Sequence, residues 1–252
     1  LAPAEVYAEL SRYGSEHTAE YMRELEAAHP ELQGSVSVCA ATEKRRPRTK
    51  RELIELLDMG AKMPLAGIDT SLITDMEGLF KDSQCRDFIG IETWDTSNVE
   101  DMDGMFDGAK NFNQPLNSWK TGKVRFMRRM FQGASSFDQP LDKWDVSRVE
   151  TAEKMFNDAS CFSRPLDTWQ ISRACNVNDM FLSAPRFKDI RTLALNFFLT
   201  NKKRYREYLK EVLGRFDAAQ VYAELSRYDC KHAAEYMREL EAKHPELRGS
   251  LP

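Results

Sequence analysis

The sequence predicts an α/β repeat fold, a short solenoid that ends in helical caps and carries a helical hairpin at each end. Three observations predict this class. Tryptophan recurs every 25 residues, from Trp94 to Trp169, and its neighbours recur with it. A fixed period of about 20–50 residues is typical of stacked supersecondary units that share one elongated core. Separately, residues 4–35 and 219–250 share 25 identities in 32 positions.

Each repeat unit begins with an apolar stripe. In the third unit the stripe is Val124, Met127, Met130 and Phe131, a spacing of i, i+3, i+6 and i+7 that predicts a short helix. Two stripes follow Ser-x-x-Glu sequences, at residues 97–100 and 147–150, which are typical of capping boxes. A Gly-Ala pair follows the stripe, and we expect the small residue to let the backbone reverse there.

The second half of each unit reads Phe-x-x-Pro-Leu-x-x-Trp and predicts an extended segment. Proline lacks a backbone donor, so we expect a short strand that begins after it and pairs in parallel with its equivalent in the next unit. Five units follow one another, a degenerate first unit from Ile68 and a last one that is interrupted at Pro185. Because the apolar positions recur in every unit, the Trp, Met and Phe columns are interpreted as core. An aromatic ladder that binds a flat ligand is the alternative.

These units resemble the BspA-type leucine-rich-repeat family, in its 25-residue class with the pattern MF-x-GA-x-x-FNQPL-x-x-W-D-x-S-N-V. Residues 113–116 and 94–99 match the pattern most closely, and the segment from Thr49 to Ser71 resembles the N-terminal cap of the family. The resemblance covers residues 49–187. It implies a curved, right-handed solenoid of the leucine-rich-repeat kind and a non-enzymatic surface or interaction protein.

The two similar end segments, called copy 1 (residues 4–35) and copy 2 (residues 219–250), each predict two helices followed by His-Pro-Glu-Leu. Core packing requires only the apolar positions to be kept. The identities nevertheless include charged residues that are candidate partner contacts, namely Glu20, Arg23, Glu24, Glu235, Arg238 and Glu239. Either the duplication is recent, or both pairs dock on the same surface, on two identical partners or on each other.

Two further helices are predicted between the repeats and copy 2, one near 190–199 that covers the open end and one that stops at Gly214. The predicted organisation is an N-terminal helical pair (1–33), a linker (34–49), a leucine-rich-repeat-like solenoid with a cap helix (50–187), capping helices (188–217) and a C-terminal helical pair (218–252). The linker ends in a basic run, residues 44–51, which is interpreted as solvated or as a contact with an acidic partner.

Composition excludes several classes of protein. The formal net charge is −4, which does not produce the field of a nucleic-acid-binding protein. No apolar stretch reaches the ~18 residues of a transmembrane helix. The chain opens without Met or an apolar leader, so we expect a processed product or a part of something longer. Five scattered cysteines without a CxxC pair favour a reducing compartment, intracellular or organellar rather than secreted.

No catalytic, cofactor-binding or metal-ligating residue is predicted. All four histidines lie in the duplicated segments, far in sequence from any nucleophile of the repeats, and no phosphate-binding glycine loop is present. The chain is therefore predicted not to be an enzyme and to need no cofactor. An unrecognised hydrolase is the alternative, and it would require two perturbed carboxylates in a cleft.

A basic patch in the third unit supplies the last candidate contacts: Lys123, Arg125, Arg128 and Arg129. The neighbouring units carry acidic residues near the same points, so pairing between units is one interpretation and an acidic partner surface is the other. The predicted function is a protein–protein interaction module, a scaffold or linker whose helical pairs are held apart by a rigid spacer. Its expected partners are proteins, in a repeated or symmetric assembly or through self-association, with no nucleic acid and no membrane span. A surface adhesin or receptor-like protein of the BspA type is the alternative.

Overall fold

The computed structural model describes residues 45–58, 65–83, 88–200, 203–228 and 231–250. These residues hold five α-helices: α1 (Lys50–Asp58), α2 (Ile190–Leu199), α3 (Lys203–Leu213), α4 (Ala218–Leu225) and α5 (Lys231–Lys243). Three 3-10 helices accompany them, Leu65–Gly67, Ile91–Thr93 and Pro245–Leu247. Copy 1 and most of the predicted linker lie outside the described residues.

The predicted α/β leucine-rich-repeat-like solenoid is wrong. The described ranges contain no β-strand, only isolated parallel bridges, and all five α-helices lie outside the repeats. From the first unit to the last, the bridges join Asp75, Asp101, Phe126, Thr151 and Asn176. Each unit therefore contributes one bridging residue, and turns on both sides prevent the pairing from extending into a strand. We call the units between Ile68 and Phe187 the repeat stack.

The apolar stripe forms consecutive turns instead of the predicted helix. Alternate backbone N–H groups donate to the next unit, as Arg129 does to Glu153 O and Phe131 does to Met155 O, both at 2.9 Å. Those donors are unavailable for the i to i−4 bonds of an α-helix. Arg129 also has a φ of 58°, and a left-handed residue in every turn cannot continue a right-handed helix.

The expected capping boxes are also absent, because no helix follows them. Ser97 N–H donates to Asp95 Oδ1 at 3.0 Å, and Ser147 N–H donates to Asp145 Oδ1 at the same distance. These are turns closed by an aspartate side chain, which hold the backbone without a helix behind them.

The Gly-Ala pair does mark a backbone reversal, as predicted. Gly108 has a φ of 72° and Gly133 a φ of 66°. A Cβ at Gly108 would lie 2.2 Å from Asp82 Oδ1, whereas a Cβ at Gly133 would lie no closer than 3.6 Å to any atom of the neighbouring unit. Glycine is therefore required at Gly108 by both conformation and space, and at Gly133 by conformation.

The interpretation of the Trp, Met and Phe columns as core is confirmed. Every member of the Phe106, Phe131, Phe156 and Phe181 column is fully buried, and its rings stack at 5.5–5.6 Å between centroids. Tryptophan rings form a second column at 6.4 Å. Such offset stacks add to the burial of apolar area that holds the units together.

Helices close the end of the repeat stack, as the sequence predicts. Asp189 caps α2, because its side chain accepts hydrogen bonds from the backbone N–H groups of Arg191 and Thr192. Leu193 and Phe197 of this helix are buried in the common core. From α3, the buried Tyr205 hydroxyl accepts a hydrogen bond from the backbone N–H of Phe181 at 3.0 Å. The last unit thus finds in these helices the partners that another unit would supply.

Copy 2 forms the two predicted helices, α4 and α5, followed by the 3-10 turn over its Pro-Glu-Leu sequence. Asp217 caps α4 by accepting from the N–H groups of Ala219 and Gln220. The hydroxyl of Tyr222 on α4 donates to the carboxylate of Glu241 on α5. The apolar faces of the pair turn toward α2 and α3, where Val221, Leu225 and Leu240 are buried.

Candidate interaction surfaces

The predicted contact residues of copy 2 lie on one helix and are all exposed. Glu235 is 3.8 Å from Lys231 Nζ within α5, and Arg238 Nε donates to the Ala234 carbonyl at 3.1 Å. Glu239 differs from these two, because its Oε1 lies 2.8 Å from Nζ of Lys210 on α3. Glu239 therefore joins copy 2 to the capping helices, while Glu235 and Arg238 face outward.

A set of aromatic contacts docks copy 2 on the capping helices. The Tyr236 ring packs 5.4 Å from the ring of Phe197 on α2, and its hydroxyl donates to the Lys210 carbonyl at 3.3 Å. The Tyr228 ring lies 4.7 Å from the ring of Phe198. Burial and the nearby carboxylate of Glu224 raise the pKa of Tyr228 to about 12, so this phenol stays neutral and remains a hydrogen-bond donor.

Copy 1 carries the same docking residues. Tyr228, Tyr236, Glu239 and Leu240, which pack or pair across the contact with the capping helices, correspond to Tyr13, Tyr21, Glu24 and Leu25. This correspondence explains why two charged residues are identical in both copies. Glu24 matches the ion-paired Glu239, and Glu26 matches the hydrogen-bonded Glu241. Of the predicted contacts, Glu20, Arg23 and Glu24 lie outside the described residues.

Three of the four residues of the basic patch interact with neighbouring units. Lys123 Nζ donates to Asn98 Oδ1 at 2.7 Å, and Arg125 lies 2.6 Å from Glu150. Arg128 makes the most extensive contact. Its backbone N–H donates to Asp103 Oδ1 at 2.5 Å and its guanidinium lies 3.0 Å from Oδ2. In this patch, pairing between units accounts for these three side chains.

Arg129 differs from its neighbour Arg128. It is exposed, its backbone is left-handed, and it forms no ion pair with a carboxylate in the described part of the chain. Its counterparts in the other units include Gly104 and Lys154, which share the positive φ. Arg129 is therefore the member of the basic patch that is available to a partner.

Two perturbed carboxylates lie next to this patch. Burial raises the pKa of Asp103 above its ordinary value despite the opposing effect of Arg128, and burial also raises the pKa of Asp101. The hydrolase alternative requires such carboxylates in a cleft, and neither residue is among those that line the cavity beside Trp169. Within the described ranges, no cluster of His, Cys, Asp and Glu side chains has the arrangement of a metal site.

Sequence reasoning missed a cavity of about 200 Å³ between the last repeat unit and the helices. Trp169 lies on one side of it, and Arg191, Leu195 and Tyr228 on the other. The sequence contained one signal, the interruption of the tryptophan period after Trp169. Using that signal required the position of α2, which the repeat pattern does not determine.

Comparison with known proteins finds a similarity of the repeat stack to one family. A family described as "Mycoplasma protein of unknown function, DUF285" matches residues 74–193, which comprise most of the repeat stack and the first turn of α2. No curated protein and no solved structure matches the chain. The match covers less than half of the chain, so the similarity is one of the repeats, and the description of the family assigns no activity.

None of the helices in the described ranges has the length and apolar character needed to cross a membrane.

Proposed function

We propose that this protein is a non-enzymatic interaction module that joins protein subunits through its duplicated helical pairs, with the repeat stack as the spacer between them. The observation that carries the proposal is the identity of the docking residues. Tyr236 and Glu239 of copy 2 contact α2 and α3, and copy 1 keeps both as Tyr21 and Glu24. A sequence that keeps a docking face can dock on the same kind of surface.

The surface that this face fits is a pair of helices such as α2 and α3. Copy 2 occupies these helices in its own chain, so copy 1 competes with it for the same place or takes that place on a second chain. Exchange of equivalent elements links chains at little energetic cost, because each chain replaces its own docking interactions with equivalent ones from the other chain. Two docking elements on one spacer also gain avidity when both are engaged.

The outward face of the pair offers a second contact. Glu235 and Arg238 point away from the capping helices, and copy 1 has Glu20 and Arg23 at the same positions. A protein that recognises this face would bind the chain at two places. The helical pair thus has one face that docks on capping helices such as α2 and α3 and an opposite face that can bind another protein.

The test is the mass of the purified chain in solution over a range of concentrations, measured by light scattering. The wild-type protein is expected to associate, and the variant with Tyr21→Ala and Leu25→Ala to lose association with an unchanged Tm. Glu5→Gln is the matched control, because it installs the residue that copy 2 has at the same position. Equal association of the double variant and the control would overturn the exchange of helical pairs.

Crosslinking with mass spectrometry on native extract tests the outward face. Crosslinks from both helical pairs to one common protein are expected, and they should decrease in a variant with Glu20→Lys and Glu235→Lys. Crosslinks from one pair only would contradict a shared partner.

A surface-binding protein is the second candidate, and a polar column on the repeat stack favours it. Asn113 Oδ1 accepts from the backbone N–H of Asp138, and Asp138 Oδ1 accepts from that of Ser163, each at 2.9 Å. These side chains, which are exposed at Asn113 and Ser163 and half-buried at Asp138, repeat with the spacing of the units, which suits a ligand that is itself repetitive. Antibodies against the repeat stack should label intact source cells under this proposal, and labelling only after lysis would exclude it.

A further inference from the structure

The two helical pairs are similar but not identical, and copy 2 shows where the differences lie. Since 25 of the 32 aligned positions are identical, seven differ. Two of these, at positions 229 and 230, lie outside the described residues. Four others are exposed in copy 2, namely Gln220, Lys231, Lys243 and Arg248. The seventh is Ala233, which is 1% exposed and corresponds to Thr18 of copy 1. Among the described positions, Ala233 is therefore the one buried difference between the copies.

Ala233 lies on the face of α5 that anchors copy 2. The buried residues of α5 are Ala233, Tyr236 and Leu240, and spacings of three and four residues place them on one side of a helix. Tyr236 packs on Phe197 of α2 and donates to the Lys210 carbonyl of α3. Ala233 thus precedes this anchor by one helical turn, so a shift of the helix at Ala233 also displaces the Tyr236 ring.

Threonine at this position would add two heavy atoms to a Cβ that neighbouring atoms already enclose. The hydroxyl has a partner within a helix, because it can donate to the carbonyl four residues earlier. The additional volume has no such compensation. Overpacking of a closely packed site typically weakens an equilibrium by about 5–150-fold. A helical pair with threonine here should therefore dock more weakly than one with alanine.

We propose that Thr18 makes copy 1 the weaker occupant of the capping helices, so that copy 2 keeps α2 and α3 of its own chain. This inference rests on the proposed exchange of helical pairs and concerns its regulation. Copy 2 also has the advantage of a short tether, since α3 ends at Leu213 and α4 begins at Ala218. Tyr21 and Glu24 let copy 1 use the same place, and Thr18 restricts that use to higher concentrations of a second chain.

The first experiment measures the Tm of the full chain with Ala233→Thr. Ala234→Thr is the matched control, because it makes the same change at the next position of α5, which is exposed, and has the same cost in helix propensity. Ala233→Thr is expected to lower the Tm by about 2–12 °C more than the control does. Equal Tm values would show that threonine fits the buried position and would overturn the proposal.

The second experiment changes copy 1 and measures association by light scattering. Thr18→Ala is expected to lower the concentration of half-maximal association by about 5–150-fold. Ala28→Lys is the matched control, because it also installs the residue of copy 2, at a position where Lys243 is exposed. The control should associate like the wild type. Equal association of Thr18→Ala and the control would overturn the role of Thr18.

The two experiments separate failure of this inference from failure of the exchange. Association that is the same in the wild type and in Thr18→Ala would retain the exchange and overturn only the discrimination between the copies. Absence of association in the wild type and in both copy 1 variants would overturn the exchange itself. The Tm comparison needs no association, so it decides in either case whether threonine fits the docking face.

Discussion

The repeat stack and the helical end of this chain are held together in different ways. In the stack, Phe131 contacts the same residue type on both sides, with rings at 5.6 Å from Phe106 and from Phe156. In the helical end each contact is unique, such as that of Phe197 with Tyr236. The stability of the stack is therefore the sum of equivalent interfaces, whereas the helical end depends on a few individual anchors.

The backbone shows the same contrast. In the stack, alternate N–H groups donate to carbonyls of the next unit, so a unit without a neighbour has unsatisfied donors. The helices satisfy most of their backbone groups internally and need a neighbour mainly to bury an apolar face. A helical pair can therefore be duplicated and transferred between partners, while a repeat unit cannot leave its stack.

The largest expected effect tests the equivalence of the stacked interfaces. Phe131→Ala should lower the free energy of unfolding by about 3–5 kcal/mol, because it leaves a cavity that two units share. Phe198→Ala, at a half-buried position of the helical end, should lower the free energy of unfolding by less. Urea unfolding of both variants measures the difference, and equal losses would contradict the contrast between the regions.

The junction between the regions gives the next prediction. Tyr205→Phe removes the hydroxyl that accepts from Phe181 N–H, and a buried donor left unpaired costs about 1–3 kcal/mol. Tyr208 is the matched control, since its hydroxyl donates to the Phe181 carbonyl at 3.1 Å from a partly exposed position. In thermal unfolding, Tyr208→Phe should lower the Tm less than Tyr205→Phe does. The reverse order would mean that Tyr208 provides the more important contact between the helices and the last repeat unit.

Two glycines of the stack allow the cost of an unfavourable backbone conformation to be compared with the cost of a steric contact. Both have positive φ, so a change to Ala should cost about 1–2 kcal/mol at Gly133. Gly108→Ala should cost more, because its Cβ would also meet the Asp82 carboxylate. Denaturant midpoints of the two variants compare the costs. A similar loss at both positions would mean that Asp82 moves freely and that the units are not tightly fitted.

Two aspartates of the stack should have opposite pH dependence. The pKa of Asp101 is raised from 3.8 by burial, so its ionised form destabilises the native state and stability decreases as the pH rises above 3.8. The pKa of Asp145 is lowered from 3.8 by hydrogen bonds from Ser147, so the stability it provides is present above pH 3.8 and is lost as the pH falls below it.

Substitution by asparagine tests these signs. At pH 7, Asp101→Asn should stabilise the protein by about 0.2–1 kcal/mol, the scale of one partly exposed charge interaction. Asp145→Asn should lower its Tm. Both differences should vanish in unfolding curves measured well below pH 3.8, and a constant difference across pH would exclude the titration of these groups as the cause.

The smallest effect on stability is expected at the one basic residue of the patch that the stack does not use. Arg129→Glu should change the free energy of unfolding by less than about 0.5 kcal/mol. Arg128→Glu should destabilise the protein, because it places a carboxylate against the buried Asp103. If Arg129→Glu also reduces crosslinking to a partner, the repeat stack has a binding surface of its own. Unchanged crosslinking would mean that partners bind through the helical pairs and not through Arg129.

The repeat period, the core columns and the helices α2 to α5 could be predicted because each depends on apolar spacing along the chain. The class of the repeat fold could not be predicted this way. A stripe at i, i+3, i+6 and i+7 is compatible with a helix and with consecutive turns, and the choice depends on where alternate N–H groups donate. Gly104, Gly108 and Gly133 lie at left-handed positions, which glycine indicates in a sequence. Arg129 and Lys154 are also left-handed, but their residue types do not indicate it, so the left-handed position could not be recognised in every unit.

The sequence by itself determined which residues are equivalent, because equivalence is a property of spacing. It established that the tryptophans from Trp94 to Trp169 occupy equivalent places in successive units and that copy 1 repeats copy 2. Only the tertiary structure decided what each equivalence is used for: that Glu239 pairs with Lys210, that Arg128 rests on Asp103, and that the column ends at a cavity beside Trp169. These outcomes depend on distances between residues that are far apart in sequence, and spacing along a chain carries no such distances until the backbone hydrogen bonds have chosen their partners.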